Sequence, residues 1–433
     1  MEDNFAKSYE LLKSWKGTDY VNGVDCLERI GSLVSPFGKK TMIVANNSYN
    51  QMIKEKILPS ITSAGVYPVI NHLVPGARPN APKEDVYRLA TYLLDFKPDS
   101  IVAIGAGSTI DACKAAIVLS TFGNALTPEI DYYFGTGKVT AALEKTQLQM
   151  PYLIALETSA SSASHLTKYS NITDVISGQK KLIVDNAIVP QKALFDYSTT
   201  RTMPTRVSID GALDAIAHTF EVYCGANSEN FKLAQDLAKT AISLVVEYAK
   251  DVIDNPRNIK AREAIGLATD LGGYAIMIGG TNGPHLTSFS LVDIIGHGTA
   301  CGLMNPYYWI FYNKAIQPQL RTIGSIFKHY GYAKKDIECL SGRDLAIAVA
   351  EAMRSFEISI GAPYKLDDIP GFDKSTHISR ALKAAKDPDL KMKLQNMPVA
   401  MSANDVDIYM KPILESAASG DFSKIKEMQC KCL

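Results

Sequence analysis

The amino-acid sequence predicts an α/β domain built on a parallel sheet, followed by a domain made only of helices. Two observations predict this order. The first part of the chain alternates short apolar runs with longer amphipathic stretches, the pattern of a parallel sheet covered by helices. After about Thr200 the apolar residues recur at helical spacing and strand-like runs become scarce. We therefore expect domains at residues 1–199 and 200–433, and 433 residues are enough for two domains.

Individual elements follow from the same patterns. Short runs rich in valine, isoleucine and alanine, each ending at turn residues, predict buried strands at 41–45, 100–104, 152–156 and 193–196. A helix is expected from about 51 to 64. In the second half, the spacing of Ile209, Leu213, Ile216 and Phe220 predicts a helix that Ser208 opens.

Composition and charge exclude several classes of protein. Lysine plus arginine equals aspartate plus glutamate, at 45 each, so no basic field favours nucleic acid or an anionic membrane. The sequence has no signal-peptide pattern and no apolar run long enough to cross a bilayer. Seven scattered cysteines argue against a secreted disulfide framework, and for Cys430 and Cys432 we favour a frayed tail over a zinc, redox or lipidation signal. We expect a cytoplasmic enzyme or binding protein.

The first informative motif is a glycine turn after the strand at 100–104. Gly105-Ala-Gly107-Ser108 leads into an alanine-rich helix. Glycines let a backbone approach a ligand closely, and the start of a helix offers unpaired N–H groups to a pyrophosphate. The turn lacks the third glycine of the Rossmann fingerprint and is not a Walker A loop. A plain strand-to-helix turn with Ser108 as N-cap fits equally well.

A second turn, at 156–167, is rich in hydroxyl groups and follows the next predicted strand. It contains Thr158, Ser159, Ser162 and Thr167. These side chains are suited to donating hydrogen bonds to a phosphate or ribose, but a polar loop without a ligand explains them equally well.

Four residues of the second half form a possible metal site. Asp214 and His218 are four apart and face the same side of a helix, although this spacing also produces an ordinary hydrogen bond. His285 and His297 lie among apolar residues, where an imidazole is either a hydrogen-bonded core group or a ligand. On one straight helix, twelve residues span about 18 Å, so a shared ion requires a turn, most naturally at Gly296. Three imidazoles and a carboxylate suit Fe²⁺ or Zn²⁺.

Taken in order along residues 40–417, these motifs resemble the iron-containing alcohol dehydrogenase family of the dehydroquinate synthase-like superfamily. The family's phosphate turn matches Gly105 to Asp111, with Ala106 in place of a glycine. The segment at 78–82 resembles its Pro-Asn-Pro segment near the cofactor, and 180–190 resembles its lysine-bearing strand, which favours Lys180 over Lys181. The remaining matches are the ligand positions Asp214, His218, His285 and His297-Gly298.

The resemblance implies an N-terminal dinucleotide-binding domain and a helical domain that holds Fe²⁺ (or Zn²⁺), with no catalytic residue beyond the metal ligands. It implies hydride transfer between a small alcohol, aldehyde or ketone and NAD or NADP, and by family default a dimer. The alternatives are a glycerol- or diol-type dehydrogenase and a non-catalytic metal- or nucleotide-binding protein. The expected cofactor contacts are Asn46, Asn80, Gly105, Gly107, Ser108, Asp111, Thr158, Ser159, Ser162, Thr167 and Lys180.

Four features depart from the family pattern. The interval between the last two ligand positions, His285 and His297, is shorter than usual by about two residues. In the hydroxyl-rich turn, Ser161, Ala163 and His165 replace the usual glycines and acidic residue. Phe289 occupies the position where many members have a histidine near the nicotinamide. The group that transfers the proton is therefore not assigned. Asn46 replaces an aspartate that favours NAD; a neutral side chain leaves both NAD and NADP possible.

Overall fold

The structure is a computed structural model that describes residues 3–176 and 178–428. Cys430 and Cys432 lie outside the described residues. The chain folds into two compact units, Leu12–Thr202 and a second that combines Met1–Leu11 with Met203–Leu433. None of the described helices is both long and apolar enough to cross a lipid bilayer.

The first unit is built on a six-stranded parallel sheet of order β1-β9-β6-β4-β2-β3, with a smaller sheet of order β5-β8-β7. The four predicted strands are confirmed as β2, β4, β6 and β9, β3 lies within the short run at 66–70 that follows the expected helix, and β8 lies in the lysine-bearing strand that the resemblance implies. Strands β1, β5 and β7 were not predicted. The strands are β1 (Tyr20–Gly23), β2 (Lys40–Ala45), β3 (Tyr67–Pro68), β4 (Ser100–Gly105), β5 (Gly135–Thr136), β6 (Tyr152–Glu157), β7 (Tyr169–Asp174), β8 (Gln179–Val184) and β9 (Lys192–Asp196).

Both faces of the central strands are buried, which explains their uninterrupted apolar sequences. In β4, Ile101 and Ala103 pack into one apolar cluster, while Val102 and Ile104 pack into another on the opposite face. The register pairs Ala45 with Ile104, so β2 and β4 end at the same edge, and β6 ends there too. The loops that follow these three strands therefore start side by side.

Helices cover this sheet. The helix expected at about 51–64 is confirmed: α3 and α4 are joined without a gap by a π-helical turn at Ile53–Ile57. The helices of the first half of the chain are α1 (Asn4–Lys16), whose residues up to Leu11 belong to the second unit, α2 (Ile30–Val34), α3 (Asn50–Met52), α4 (Leu58–Ser63), α5 (Lys83–Phe96), α6 (Gly107–Phe122) and α7 (Lys138–Thr146).

The second unit contains helices and, among its described residues, no strand. Its helices from residue 203 onward are α8 (Thr205–Gly225), α9 (Phe231–Asp254), α10 (Ile259–Ile278), α11 (Gly283–Ser288), α12 (His297–Phe311), α13 (Gln317–His329), α14 (Gly342–Ser359), α15 (Lys374–Ala385), α16 (Lys391–Gln395) and α17 (Lys411–Ser419). The expectation that Ser208 opens a helix is wrong: α8 begins at Thr205, and the Ser208 hydroxyl accepts a hydrogen bond from Arg262 at 2.7 Å.

Candidate metal centre and cofactor-binding turns

The four predicted metal ligands lie together in the helical unit. The Nε2 atoms of His218, His285 and His297 lie 3.7, 3.5 and 4.0 Å from Oδ1 of Asp214. Atoms bound to one ion at about 2.1 Å are roughly 3 to 4 Å apart. Each imidazole is therefore spaced from Asp214 as two ligands of a single ion would be. Asp214, His285 and His297 also belong to a group of donors within 4.8 Å of one another, which does not include His218.

Helix α12 packs closely on α8, and this packing brings His297 next to the other predicted metal ligands. Helix α11 ends at Ser288 and α12 begins at His297, so His285 and His297 lie on different helices. Gly296 lies just before α12 in an extended conformation, at the position where the sequence predicted a turn. A Cβ atom on Gly298 would collide with the carbonyl oxygen of Asp210 and would lie 2.6 Å from Cβ of Asp214. Glycine at 298 therefore permits the close approach that brings His297 to Asp214.

Two side chains orient the imidazoles, and sequence reasoning missed both. Oε1 of Glu221 lies 2.6 Å from Nδ1 of His285, and Oγ of Ser288 lies 3.0 Å from Nδ1 of His297. A hydrogen bond at Nδ1 fixes the ring and leaves Nε2 directed at the ligand position. The available signal was the position of Glu221, seven residues after Asp214 and so on the same face of α8.

Unsatisfied polar atoms support a bound cation. Among the described residues, Oδ1 of Asp214 and Nε2 of His285 are buried and have no hydrogen-bond partner. Buried polar atoms without a partner are uncommon and call for an explanation. A metal ion held between the two atoms would satisfy both of them, so the residues fit the metal that the sequence implies.

The electrostatics favour the ligand forms of two of these groups, Asp214 and His218. For His285, burial would lower the pKa, but nearby Cys301, Glu221 and Asp214 raise it above its ordinary value. Burial alone would raise the pKa of Asp214, but the neighbouring His218, His285 and His297 hold it well below its ordinary value. Burial lowers the pKa of His218 to about 4, although Asp214 opposes the change. At neutral pH the carboxylate is therefore ionised and the His218 imidazole neutral, the states in which they bind metals.

A cysteine also lies in this group. One donor atom from each of Asp214, His285, His297 and Cys301 lies within 4.8 Å of the other three. Cys301 is fully buried. Cys301 was not among the predicted ligands, although it follows His297 by four residues and so shares its face of α12.

The predicted departure at Phe289 lies beside the metal centre. Its ring stacks on that of His297, with centroids 5.8 Å apart and an interplanar angle of 11°. The ammonium of Lys393, a buried lysine that sequence reasoning missed, lies 5.7 Å from the Phe289 ring centroid. It donates a hydrogen bond to the Thr281 hydroxyl.

In the α/β unit, the glycine turn and the hydroxyl-rich turn approach each other. Helix α6 begins at Gly107, and a Cβ atom there would collide with the hydroxyl of Ser162. The N–H of Thr158 donates to the carbonyl of Gly105 at 3.2 Å. Ser108 is not the N-cap of α6; its hydroxyl accepts from the N–H of Asn80 at 3.1 Å.

The hydroxyls of Thr158 and Ser159 already have partners within the unit. Oγ1 of Thr158 lies 2.9 Å from the Tyr49 hydroxyl. The Ser159 hydroxyl and its backbone N–H both bond to Oε1 of Glu157, at 3.1 and 3.0 Å. Both residues are buried, so the turn is held in one shape by its own side chains.

Asn46, Asn80 and Lys180 lie around these turns. Asn46 is exposed and follows β2 directly. The carbonyl of Asn80 accepts from Oγ1 of Thr173 at 2.6 Å, and Thr173 is paired with Lys180 in the β7–β8 ladder. Lys181, the alternative to Lys180, forms an ion pair with Asp131 at 2.6 Å.

Asp111 and Thr167 are instead enclosed in the unit. The Asp111 carboxylate accepts from the backbone and side-chain amides of Asn171, at 2.9 and 3.2 Å, and from the Ser164 hydroxyl. The ammonium of the buried Lys114 donates to the carbonyls of Thr167 at 2.9 Å and of Ser164 at 2.7 Å. These contacts anchor the segment that follows the hydroxyl-rich turn.

Comparisons with known proteins agree with this arrangement. The family model "Iron-containing alcohol dehydrogenase" matches residues 17–197, and the model "Fe-containing alcohol dehydrogenase family, C-terminal" matches residues 208–411. Alcohol dehydrogenase 4 of Schizosaccharomyces pombe is 25% identical over 360 residues, which are 80% of this chain and 79% of that protein. NADPH-dependent butanol dehydrogenase of Clostridium saccharobutylicum is 27% identical over 302 residues, covering 68% and 73%.

The fold is also found in solved structures. An alcohol dehydrogenase from Oenococcus oeni superimposes with a TM-score of 0.75 and 22% identity, covering 92% of this chain and 98% of that one. The two family models together span most of the chain, including the glycine turn, the hydroxyl-rich turn and all four predicted metal ligands. The chain belongs to the iron-containing alcohol dehydrogenase family.

Proposed function

We propose that four residues hold the catalytic Fe²⁺ or Zn²⁺ of an alcohol dehydrogenase that transfers hydride between a small alcohol, or the matching aldehyde or ketone, and NAD(P). They are Asp214, His218, His285 and His297. The observation that carries the assignment is the convergence of three imidazole Nε2 atoms on Oδ1 of Asp214. When bound, such an ion acts as a Lewis acid on the substrate oxygen.

The surrounding residues keep the ligands in position. Glu221 holds the His285 ring through Nδ1, and Ser288 does the same for His297. Phe289 lies flat against His297, so an aromatic ring covers this side of the imidazole. Because Phe289 offers no proton, a proton that leaves the alcohol must travel by another group or through water.

Cofactor binding is assigned to the α/β unit. The N–H groups at the start of α6, next to Gly105 and Gly107, are suited to a pyrophosphate, with Ser108, Thr158, Ser159 and Ser162 lining the adjoining turns. We assign the contact with the adenosine ribose to Asn46, which is exposed at the end of β2, and further contacts to Asn80 and Lys180. Asp111 and Thr167 act by positioning the loop, because their contacts are made inside the unit.

Activity and metal content test the proposal together. The protein, loaded with Fe²⁺ or Zn²⁺, is offered primary alcohols, diols and aldehydes with each of NAD(H) and NADP(H). We expect turnover in at least one combination. Absence of turnover across the panel, with metal and cofactor still bound, would instead support a non-catalytic binding protein.

The ligand assignment has its own control. His285→Ala should lose bound metal, whereas His329→Ala, which changes an exposed histidine of the same unit, should keep it. Equal metal content in the two variants would contradict the assignment. We also expect a dimer, measurable by light scattering. The five described cysteines, all of them free, are compatible with a reducing, cytoplasmic setting.

A further inference from the structure

Cys301 lies among the proposed metal ligands. It is four residues after His297 on α12, so the two side chains leave the same face of the helix one turn apart. A donor atom of Cys301 lies within 4.8 Å of donor atoms of Asp214, His285 and His297. The thiol is fully buried and forms no disulfide.

The distances allow sulfur to reach an ion held by the other groups. Metal–nitrogen bonds of about 2.1 Å and metal–sulfur bonds of about 2.3 Å place two donors at most about 4.4 Å apart. The 4.8 Å limit on the spacing of the four donors is close to this value, so a small side-chain adjustment suffices. Cysteine sulfur is also an established donor to Zn²⁺, and soft thiolate ligands suit both zinc and iron.

Among the described residues, the other buried cysteine of the helical unit provides a contrast. Cys224 lies on α8, one turn after Glu221, and is buried. It is not part of the group of four donors, although Cys301 is. Burial of a thiol in this unit is therefore not sufficient to place it among the ligands.

We infer that Cys301 is an additional ligand of the metal ion, bound through its thiolate beside Asp214 and the histidines. On binding, a bond forms between Sγ and the ion, the S–H bond breaks, and the proton leaves to solvent. The inference rests on the metal centre proposed above. It adds a soft sulfur donor to a set that otherwise consists of nitrogen and oxygen.

Cobalt substitution tests the inference without an activity measurement. The full-length protein is stripped of metal, loaded with one equivalent of Co²⁺, and its absorption spectrum is recorded. A thiolate bound to Co²⁺ gives a sulfur-to-metal charge-transfer band in the near ultraviolet. We expect this band in the unsubstituted protein and in Cys224→Ser, and its loss in Cys301→Ser at equal cobalt content.

Each other outcome has a definite meaning. Retained cobalt without a charge-transfer band in the unsubstituted protein would overturn the sulfur ligand and leave the proposed centre intact, and this result needs no variant to fold. A band that survives in Cys301→Ser would assign the sulfur to another cysteine and overturn the inference. Failure of the unsubstituted protein to retain cobalt would overturn both the centre and its sulfur ligand.

Discussion

Nδ1 of His285 lies 2.6 Å from Oε1 of Glu221, and this contact joins α11 to α8 at the proposed metal centre. Glu221 also accepts a hydrogen bond from the backbone N–H of Asn282 through its second oxygen, at 2.6 Å. The carboxylate therefore receives two donors and fixes the His285 ring with Nε2 facing Asp214.

Glu221→Gln should lower metal affinity by about 10- to 100-fold, the usual effect of losing a partner of a metal-bound histidine. Glutamine has one oxygen and one NH₂ group, so it cannot accept from both His285 and Asn282. One of the two donors is then left facing another donor. Metal affinity is measured by competition with a coloured chelator.

The matched control is Glu357→Gln. Glu357 is another buried glutamate of the helical unit, and it lies outside the group of metal-binding donors. This variant should keep the metal affinity of the unsubstituted protein. If both variants bind metal as tightly as the unsubstituted protein, Glu221 does not orient His285.

The sequence predicted the central sheet well because of how it is buried. Strands β2, β4 and β6 are covered on both faces, so each is a short, uninterrupted apolar run. An amphipathic helix, in contrast, has polar residues at regular intervals on its exposed side. Strand β1 carries Asn22 and Gly23 and lies at the sheet edge, where this signal is absent. Strand β8 begins with a glutamine and two lysines, so the apolar pattern misses it and only the family resemblance indicates a strand there.

The site was predicted only in part for a related reason. The ligands Asp214 and His218 are a local pair, readable from helical spacing, but Glu221 acquires its role when α11 packs against α8. Cys301 likewise depends on the approach of α12 to α8. The burial of Lys393 could not be predicted from the sequence pattern, because a lysine in a short polar segment is normally exposed.

Lys114 gives a prediction for the α/β unit. Its ammonium is buried, and it donates to the carbonyls of Ser164, Thr167 and Tyr169 at 2.7 to 2.9 Å. Lys114→Met would leave those carbonyls unsatisfied and remove the positive charge 3.8 Å from Asp111. We expect the free energy of unfolding to fall by about 3 kcal/mol, measured by urea denaturation.

The same variant should raise the KM for NAD(P), because the released segment follows the proposed cofactor turn. Lys145→Met is the control: Lys145 is exposed on α7, and surface changes of this kind alter stability by less than about 0.5 kcal/mol. Similar stability losses in the two variants would argue against an anchoring role for Lys114.

Asn46 gives a prediction about the cofactor. It is exposed at the carboxyl end of β2, where we place the adenosine ribose. Asn46→Asp adds a negative charge that repels a 2′-phosphate and accepts from ribose hydroxyls. The ratio of kcat/KM with NADP(H) to that with NAD(H) should fall at least about tenfold.

The neighbouring exposed Asn47 supplies the control, since Asn47→Asp adds the same charge one residue further along. In Asn47→Asp, the ratio of kcat/KM with NADP(H) to that with NAD(H) should change by less than it does in Asn46→Asp. Equal effects of the two substitutions would indicate a general charge effect and would move the ribose away from Asn46.

Glu357 gives a pH-dependent stability prediction. Its side chain is buried in α14, and among the described residues neither carboxyl oxygen has a hydrogen-bond partner. Burial raises its pKa well above the ordinary 4.5, and the nearby Arg354 only partly opposes this. Above pH 4.5 the folded state therefore holds a proton that the unfolded state has released, so this group costs stability as pH rises.

Glu357→Gln removes that titration, because an amide is neutral at every pH. At pH 8 the variant should be more stable than the unsubstituted protein, by about 1.4 kcal/mol for each pH unit from 4.5 up to the folded-state pKa of Glu357, or up to pH 8 where that pKa is higher. Below pH 4.5 the advantage should vanish, because both side chains are then neutral in both states. Urea denaturation at pH 4 and pH 8 measures the difference.

Glu351→Gln, an exposed change on the same helix, is the control and should shift the free energy of unfolding by less than about 0.5 kcal/mol at either pH. A stabilisation by Glu357→Gln that is equal at both pH values would mean that packing, and not the carboxyl proton, is its source.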